Sequence, residues 1–111
     1  MKTVFSTNIR GAYEGETYVA IGDDGERKLS LRIATYKSYS KQLVTHASVV
    51  ERTAYGFQCN IFQDFSQAII TTKPARITKK AIEEQHLQAL ESVDSIVVAA
   101  QMHHNLMPEL A

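Results

Sequence analysis

Two stretches of strict alternation organise the middle of the chain. Over residues 28–38, Leu29, Leu31 and Ile33 fall on one side, and Ser30, Arg32, Ala34 and Tyr36 on the other. That period of two is the mark of a half-buried strand with one polar face. Residues 42–52 repeat it, with Leu43, Thr45, Ala47 and Val49 opposite Val44, His46, Ser48 and Val50. The polar run 38–41 between them predicts a turn. Upstream, residues 3–9 are rich in β-formers, residues 11–15 read as a turn and residues 17–21 as the returning strand, which together make a hairpin. The run Gly22-Asp-Asp-Gly25 is a further turn signal, and residues 53–56 turn the chain again. Residues 57–72 carry neither Gly nor Pro and are rich in Phe and Ile. They read as one long strand bent near Asp64, or as two shorter strands broken at Gln63-Asp64.

The pattern changes after Lys73-Pro74. Thr78 is placed to cap a helix, although Lys79 and Lys80 sit poorly beside a helix N-terminus. Ala81, Ile82, Leu87 and Leu90 recur at helical spacing. Ser92 is placed to cap a second helix with Asp94 in its first turn, and Val93, Ile96, Val97 and Ala100 form an apolar stripe. Two helices, or one kinked helix, are expected over residues 79–104, with residues 107–111 as a tail. Strands and helices are segregated along the chain. The expected class is therefore α+β: an N-terminal β-hairpin and antiparallel meander sheet over residues 1–73, then C-terminal helices over residues 78–106, in one domain of 111 residues.

Charge narrows the function. Twelve Lys and Arg balance twelve Asp and Glu, which argues against indiscriminate coating of nucleic acid, since that runs on excess positive charge. A local basic patch stays open. The single cysteine, Cys59, allows no intrachain disulfide and no cysteine-based metal site. It lies in an apolar alternation, Phe57-Cys59-Ile61, and reads as a small core residue. No apolar stretch approaches membrane-spanning length, and residues 1–10 lack the apolar core of a signal peptide.

Catalytic chemistry finds no foothold. The histidines are His46, His86, His103 and His104; the last two are adjacent, so on a helix they face different ways. No metal-ligand spacing surrounds them. Asp23-Asp24 and Glu83-Glu84 read as solvated charge on a turn and a helix. The glycines are spaced as turns and make no phosphate loop. The expectation is a non-enzyme with no cofactor.

What remains is the polar side of the meander. Ser30, Arg32 and Tyr36 share a face with His46 and Ser48, and Asn60 and Phe62 join it if the long strand keeps its alternation. Arginine, hydroxyl, amide and aromatic groups together suit single-stranded RNA, whose bases stack on rings while polar groups take edges and phosphates. The competing reading is an ordinary solvent-facing side of an antiparallel sheet. The opposite face is apolar, and two short helices are expected to leave it incompletely covered, so that a second copy of the chain is needed. A long edge strand would also invite pairing with that copy.

The order of elements resembles the coat proteins of single-stranded RNA bacteriophages. The segments that carry it are residues 28–37, 42–50 and 57–72, followed by residues 77–82 (Ile-Thr-Lys-Lys-Ala-Ile) and 92–98 (Ser-Val-Asp-Ser-Ile-Val-Val). The resemblance implies an obligate homodimer with a continuous sheet lining an icosahedral shell, helices interlocking across the dimer on the outside, and genomic RNA on the inner sheet face. It implies a virion protein assembled in the bacterial host cytoplasm, with Ser30, Arg32, Tyr36, His46, Ser48, Asn60 and Phe62 facing RNA. The chain departs from that family in having only residues 53–56 before its long strand. The alternative is a small phage or bacterial inhibitor that works by binding another protein.

Overall fold

A computed structural model describes residues 1–54, 56–59 and 65–106, with the backbone alone described over residues 57–59. Five strands follow one another as an antiparallel meander: β1 (Lys2–Thr7), β2 (Tyr13–Asp23), β3 (Lys28–Lys37), β4 (Leu43–Thr53) and β5 (Gly56–Cys59). A sixth, β6 (Ser66–Thr72), also pairs with β4. Helices α1 (Lys79–Leu90) and α2 (Val93–His103) close the order, giving the α+β architecture expected.

The alternation of residues 28–37 and 43–50 appears as expected. Leu29, Leu31, Ile33, Leu43, Ala47 and Val49 point to the helices and are buried. Of the two readings of residues 57–72, the structure has the two shorter strands, both laid along β4. Val50 opposes Cys59 and Ser48 opposes Ser66; residues 60–64, which include the expected bend or break at Gln63-Asp64, lie outside the described residues. The turn before β5 is short: Thr53 opposes Gly56 and its hydroxyl donates to the Gly56 carbonyl at 2.7 Å.

Gly15 is not part of a turn. It lies inside β2 opposite Phe5, where an added Cβ would stand 2.6 Å from the Phe5 ring and 3.3 Å from the His86 ring. The missing side chain admits the aromatic ring, which packs edge-on to His86 at 5.5 Å between centroids. Further along β2 the register shifts between Ala20 and Gly22, leaving Ile21 as the extra residue of a bulge. Gly22 takes the positive φ of 133° there.

The C-terminal segment is two helices. Thr78 caps α1 as expected, with Ala81 N donating to its hydroxyl at 3.1 Å. Ser92 sits at the start of α2 but its side chain makes no capping bond; the Ser95 hydroxyl donates to its carbonyl instead. The apolar stripe of α2 falls where it was placed, with Ile96 and Ala100 buried. That of α1 does so only in part, with Ile82 buried and Ala81 and Leu90 half-buried. Its buried face is Ile82, Gln85, His86 and Ala89, while Leu87 is 55% exposed.

The helices of the same chain cover the sheet. Ile96, Ala100 and Leu106 pack with Ile21, Leu29, Leu31, Ile33, Ala47 and Val49 in one core. The expectation that this face needs a second copy to be covered is therefore corrected. The residues between α2 and the tail help to seal it, and α1 closes the other half with polar groups.

Those groups form a continuous hydrogen-bonded row. Thr3 Oγ1 lies 2.7 Å from Thr17 Oγ1, which lies 2.7 Å from His86 Nε2. On the other side of the ring, Nδ1 is 2.8 Å from Thr35 Oγ1, itself 2.7 Å from Thr45 Oγ1. Gln85 Nε2 donates to Thr45 Oγ1 and to the Leu43 and Ile70 carbonyls, and Thr72 donates to Gln85 Oε1. Five strands are thus tied to one helix by groups that leave few polar atoms unpaired, the condition for a buried network to stabilise and specify a fold. At the β2 bulge, Gln101 Nε2 donates to the Ile21 carbonyl at 3.0 Å.

Candidate nucleic-acid interface

The side of the sheet away from the helices carries the predicted RNA-facing residues, and the register places them relative to one another. Tyr18, Arg32, Ser48 and Ser66 form one rung across β2, β3, β4 and β6. Glu16, Ala34, His46 and Ala68 form the next. Ser30, Arg32, Tyr36, His46 and Ser48 therefore do share this face. Asn60 and Phe62 lie outside the described residues.

Sharing a face does not make one site. Ser30 is buried between strands. Arg32 is engaged within the chain: its Nη2 lies 3.3 Å from Glu16 Oε1, both side chains being under a third exposed, and its Nε donates to Glu16 Oε2 at 3.4 Å. The Tyr18 hydroxyl donates to the same carboxylate at 2.7 Å. Burial by itself would raise the Glu16 carboxyl, but the hydrogen bonds from Tyr18 and Arg32 outweigh it and hold it below the ordinary carboxylate range. The guanidinium is shifted up: burial disfavours its charge, and the Glu16 carboxylate more than compensates. The centre of the face is thus a neutralised ion pair with an aromatic hydroxyl. Sequence alone leaves this pairing out of sight, because Glu16 and Arg32 meet diagonally and only once the β2–β3 register is known.

His46 shares a hydrogen bond with Ser66 at 2.8 Å. Burial lowers its pKa, and the neighbouring Arg32 charge lowers it further, so the ring is neutral at physiological pH. It reads as a polar strand-to-strand link. Tyr36 stands apart from this cluster, at the end of the face where the β1–β2 and β3–β4 turns meet. It lines a recess of 510 Å³ with Asn8, Arg10, Glu14, Lys37 and Tyr39. At the other end, Lys2, Tyr18, Ala20, Ser30 and Arg52 line a smaller recess of 380 Å³. Arg10, Lys37, Lys2 and Arg52 went unremarked in the sequence because they lie in turns and at strand ends, far apart along the chain.

Among the described residues no group of three or more potential metal ligands gathers, and no helix is long and apolar enough to cross a membrane. No family model, no curated protein and no solved structure matches this chain.

Proposed function

We propose that this chain is a coat-type subunit that dimerises, assembles into a shell and holds single-stranded RNA on the open side of its sheet. The observation that carries the reading is the edge of the sheet at β6. Ser66–Thr72 is seven residues long, has no charge and no proline, and among the described residues pairs on one side only, with β4. Edge strands are ordinarily blunted by charges, prolines, short length or bulges; this one has neither charge nor proline, and its one irregularity is the extra residue Ile69 between the pairs Thr45–Ile70 and His46–Ala68. The opposite edge, β1, begins with Lys2. Two β6 strands related by a two-fold axis extend the meander into one continuous sheet with a single open face, the form the coat-protein resemblance implies.

The ladder alone makes a weak dimer. About six new backbone hydrogen bonds at about 1 kcal/mol each are set against an association cost on the order of 4–15 kcal/mol. The outer surface of the helices supplies further apolar area: Leu87, Val98 and Met102 are exposed, Met102 to 72%. Burial of these residues against a partner's helices is the second half of the proposed contact.

Electron microscopy of the recombinant protein, with nuclease digestion of co-purified RNA, tests the reading. Closed particles that protect RNA support it, and a dispersed small species without protected RNA rejects it. One observation favours the second reading, a small protein-binding inhibitor: the helices already cover the sheet within one chain, as a self-standing binder requires. That reading expects a monomer that binds one target.

A further inference from the structure

Zero net charge conceals a segregated distribution. The β1–β2 turn, the β3–β4 turn and the connection from β6 to α1 meet at one end of the molecule, bringing Arg10, Lys37, Lys41, Lys73, Arg76 and Lys79 to that end. Three carboxylates stand at the same end and offset part of this charge, Glu14 within the lining of the recess itself. Glu14 accepts from Asn8 Nδ2 at 2.7 Å, Glu83 from the Tyr13 hydroxyl at 2.6 Å, and Glu84 lies 3.9 Å from Lys80 Nζ. Lys79 lies over the Tyr13 ring, 5.2 Å from its centroid. Among the described residues, Arg10, Lys37, Lys41, Lys73 and Arg76 form no ion pair, whereas Arg27 and Arg32 are held by Asp24 and Glu16.

This end also has shape. The 510 Å³ recess between the two turns has Tyr36 and Tyr39 in its walls beside Arg10 and Lys37, a volume within the range of small-ligand sites. A second recess, of 330 Å³, continues from Arg10 and Lys37 toward Tyr13, Thr78 and Lys79. Tyr39 is 99% exposed among the described residues. The turns are braced from within: Asn8 Oδ1 accepts from the backbone N–H of Arg10 and Ala12, and the Ser38 hydroxyl accepts from Gln42 N.

We propose that this basic end, and not the centre of the sheet, is where single-stranded RNA is held, with Arg10 and Lys37 on phosphates and Tyr36 and Tyr39 stacking bases. Cations that track a backbone beside rings that stack its bases are the means by which single strands are bound without sequence preference. The centre of the face is less suited, since Arg32 would have to exchange Glu16 for phosphate. The inference takes its ligand from the coat-protein reading and moves the site. An anionic membrane surface is the rival occupant, suggested by the fully exposed Ile9 at the β1–β2 tip. One aliphatic side chain is a small anchor, and a walled recess suits a base better than a lipid tail.

Fluorescence anisotropy with labelled oligouridine, run on the full chain over a salt series, tests the site. Arg10→Ala with Lys37→Ala should weaken binding and reduce the slope of log affinity against log salt by about 1.4. Tyr39→Ala, at a position too exposed to disturb folding, should weaken binding about 5- to 150-fold at every salt concentration, with the slope unchanged. Arg32→Ala should leave affinity within about twofold. The proposal is overturned if Arg32→Ala abolishes binding while the double variant binds normally, if the wild-type chain binds no RNA, or if it binds phosphatidylserine vesicles in preference and Ile9→Ser removes that binding. Light scattering on the same samples separates the two readings. Particles that bind RNA without Arg10 and Lys37 reject this site alone, and a monomer that binds RNA through them rejects the coat reading alone.

Discussion

Replacing His86 should be among the most damaging single changes in the protein. The ring is wholly buried and joins two threonines that are equally inaccessible, Thr17 and Thr35. His86→Ala removes the packing of an imidazole against Phe5, at about 3 kcal/mol for a large-to-small change in a core. It also takes one partner from each hydroxyl, at about 1 kcal/mol apiece, because Thr17 keeps Thr3 and Thr35 keeps Thr45. The total, about 5 kcal/mol, is a large part of the roughly 6–17 kcal/mol available to a domain of this length. Urea titration followed by circular dichroism at about pH 8, above the ordinary histidine range, measures it. His86→Leu should recover part of the packing but not the hydrogen bonds, and adding Thr17→Val and Thr35→Val should recover more, since no hydroxyl is then left short of a partner. A loss under about 1 kcal/mol for His86→Ala would refute the view that this row holds α1 to the sheet.

The same residue sets a pH dependence. Burial lowers the His86 pKa in the folded chain, opposed by the Glu16 carboxylate, so the folded value lies below the ordinary one of about 6.5. As pH falls through that value the unfolded chain takes up a proton first, and folding stability declines. The contribution is complete above the unfolded pKa, shrinks as pH drops toward the folded pKa, and is constant below it. His46 shifts in the same direction, so the difference in slope between wild type and His86→Leu isolates His86.

Three further substitutions probe the frame. Gly15→Ala places a Cβ against Phe5 and should cost about 1–3 kcal/mol, read as a lower urea midpoint; an unchanged midpoint would mean that the ring moves aside freely. Thr78→Ala removes the cap of α1 and should cost about 1 kcal/mol, and Thr78→Ser should restore most of it. Gln101→Leu leaves the Ile21 carbonyl at the β2 bulge without its side-chain donor and should cost about 1–3 kcal/mol, with amide exchange rising first around that bulge.

Strand and helix placement was legible where one face is mostly apolar. Leu29, Leu31 and Ile33 announce β3, Leu43, Ala47 and Val49 announce β4, and Ile96 with Ala100 announces the buried stripe of α2. The failures share a cause. Gly15 looks like a turn residue because nothing in its neighbours reveals that Phe5 will lie across it. The buried face of α1 is hidden because Gln85 and His86 count as surface residues until Thr17, Thr35 and Thr45 are known to lie beneath them. Leu87, apolar and at helical spacing with Ile82 and Leu90, faces outward. The candidate interface was half legible: alternation placed Ser30, Arg32, Tyr36, His46 and Ser48 on one face. The register then paired Arg32 with Glu16, and the folding of three distant turns gathered Arg10, Lys37 and Lys79 at one end. Pairings of that kind depend on contacts between residues far apart in the chain, which local patterning does not encode.

The account stands or falls on the free edge of β6. Light scattering coupled to gel filtration should give the wild-type chain a mass of at least two subunits. The single change Ala68→Lys, which sets a charge on that exposed edge position, should yield a folded single-subunit species. A wild-type chain with the mass of one subunit at every concentration tested would contradict the account, as would an assembly indifferent to the lysine.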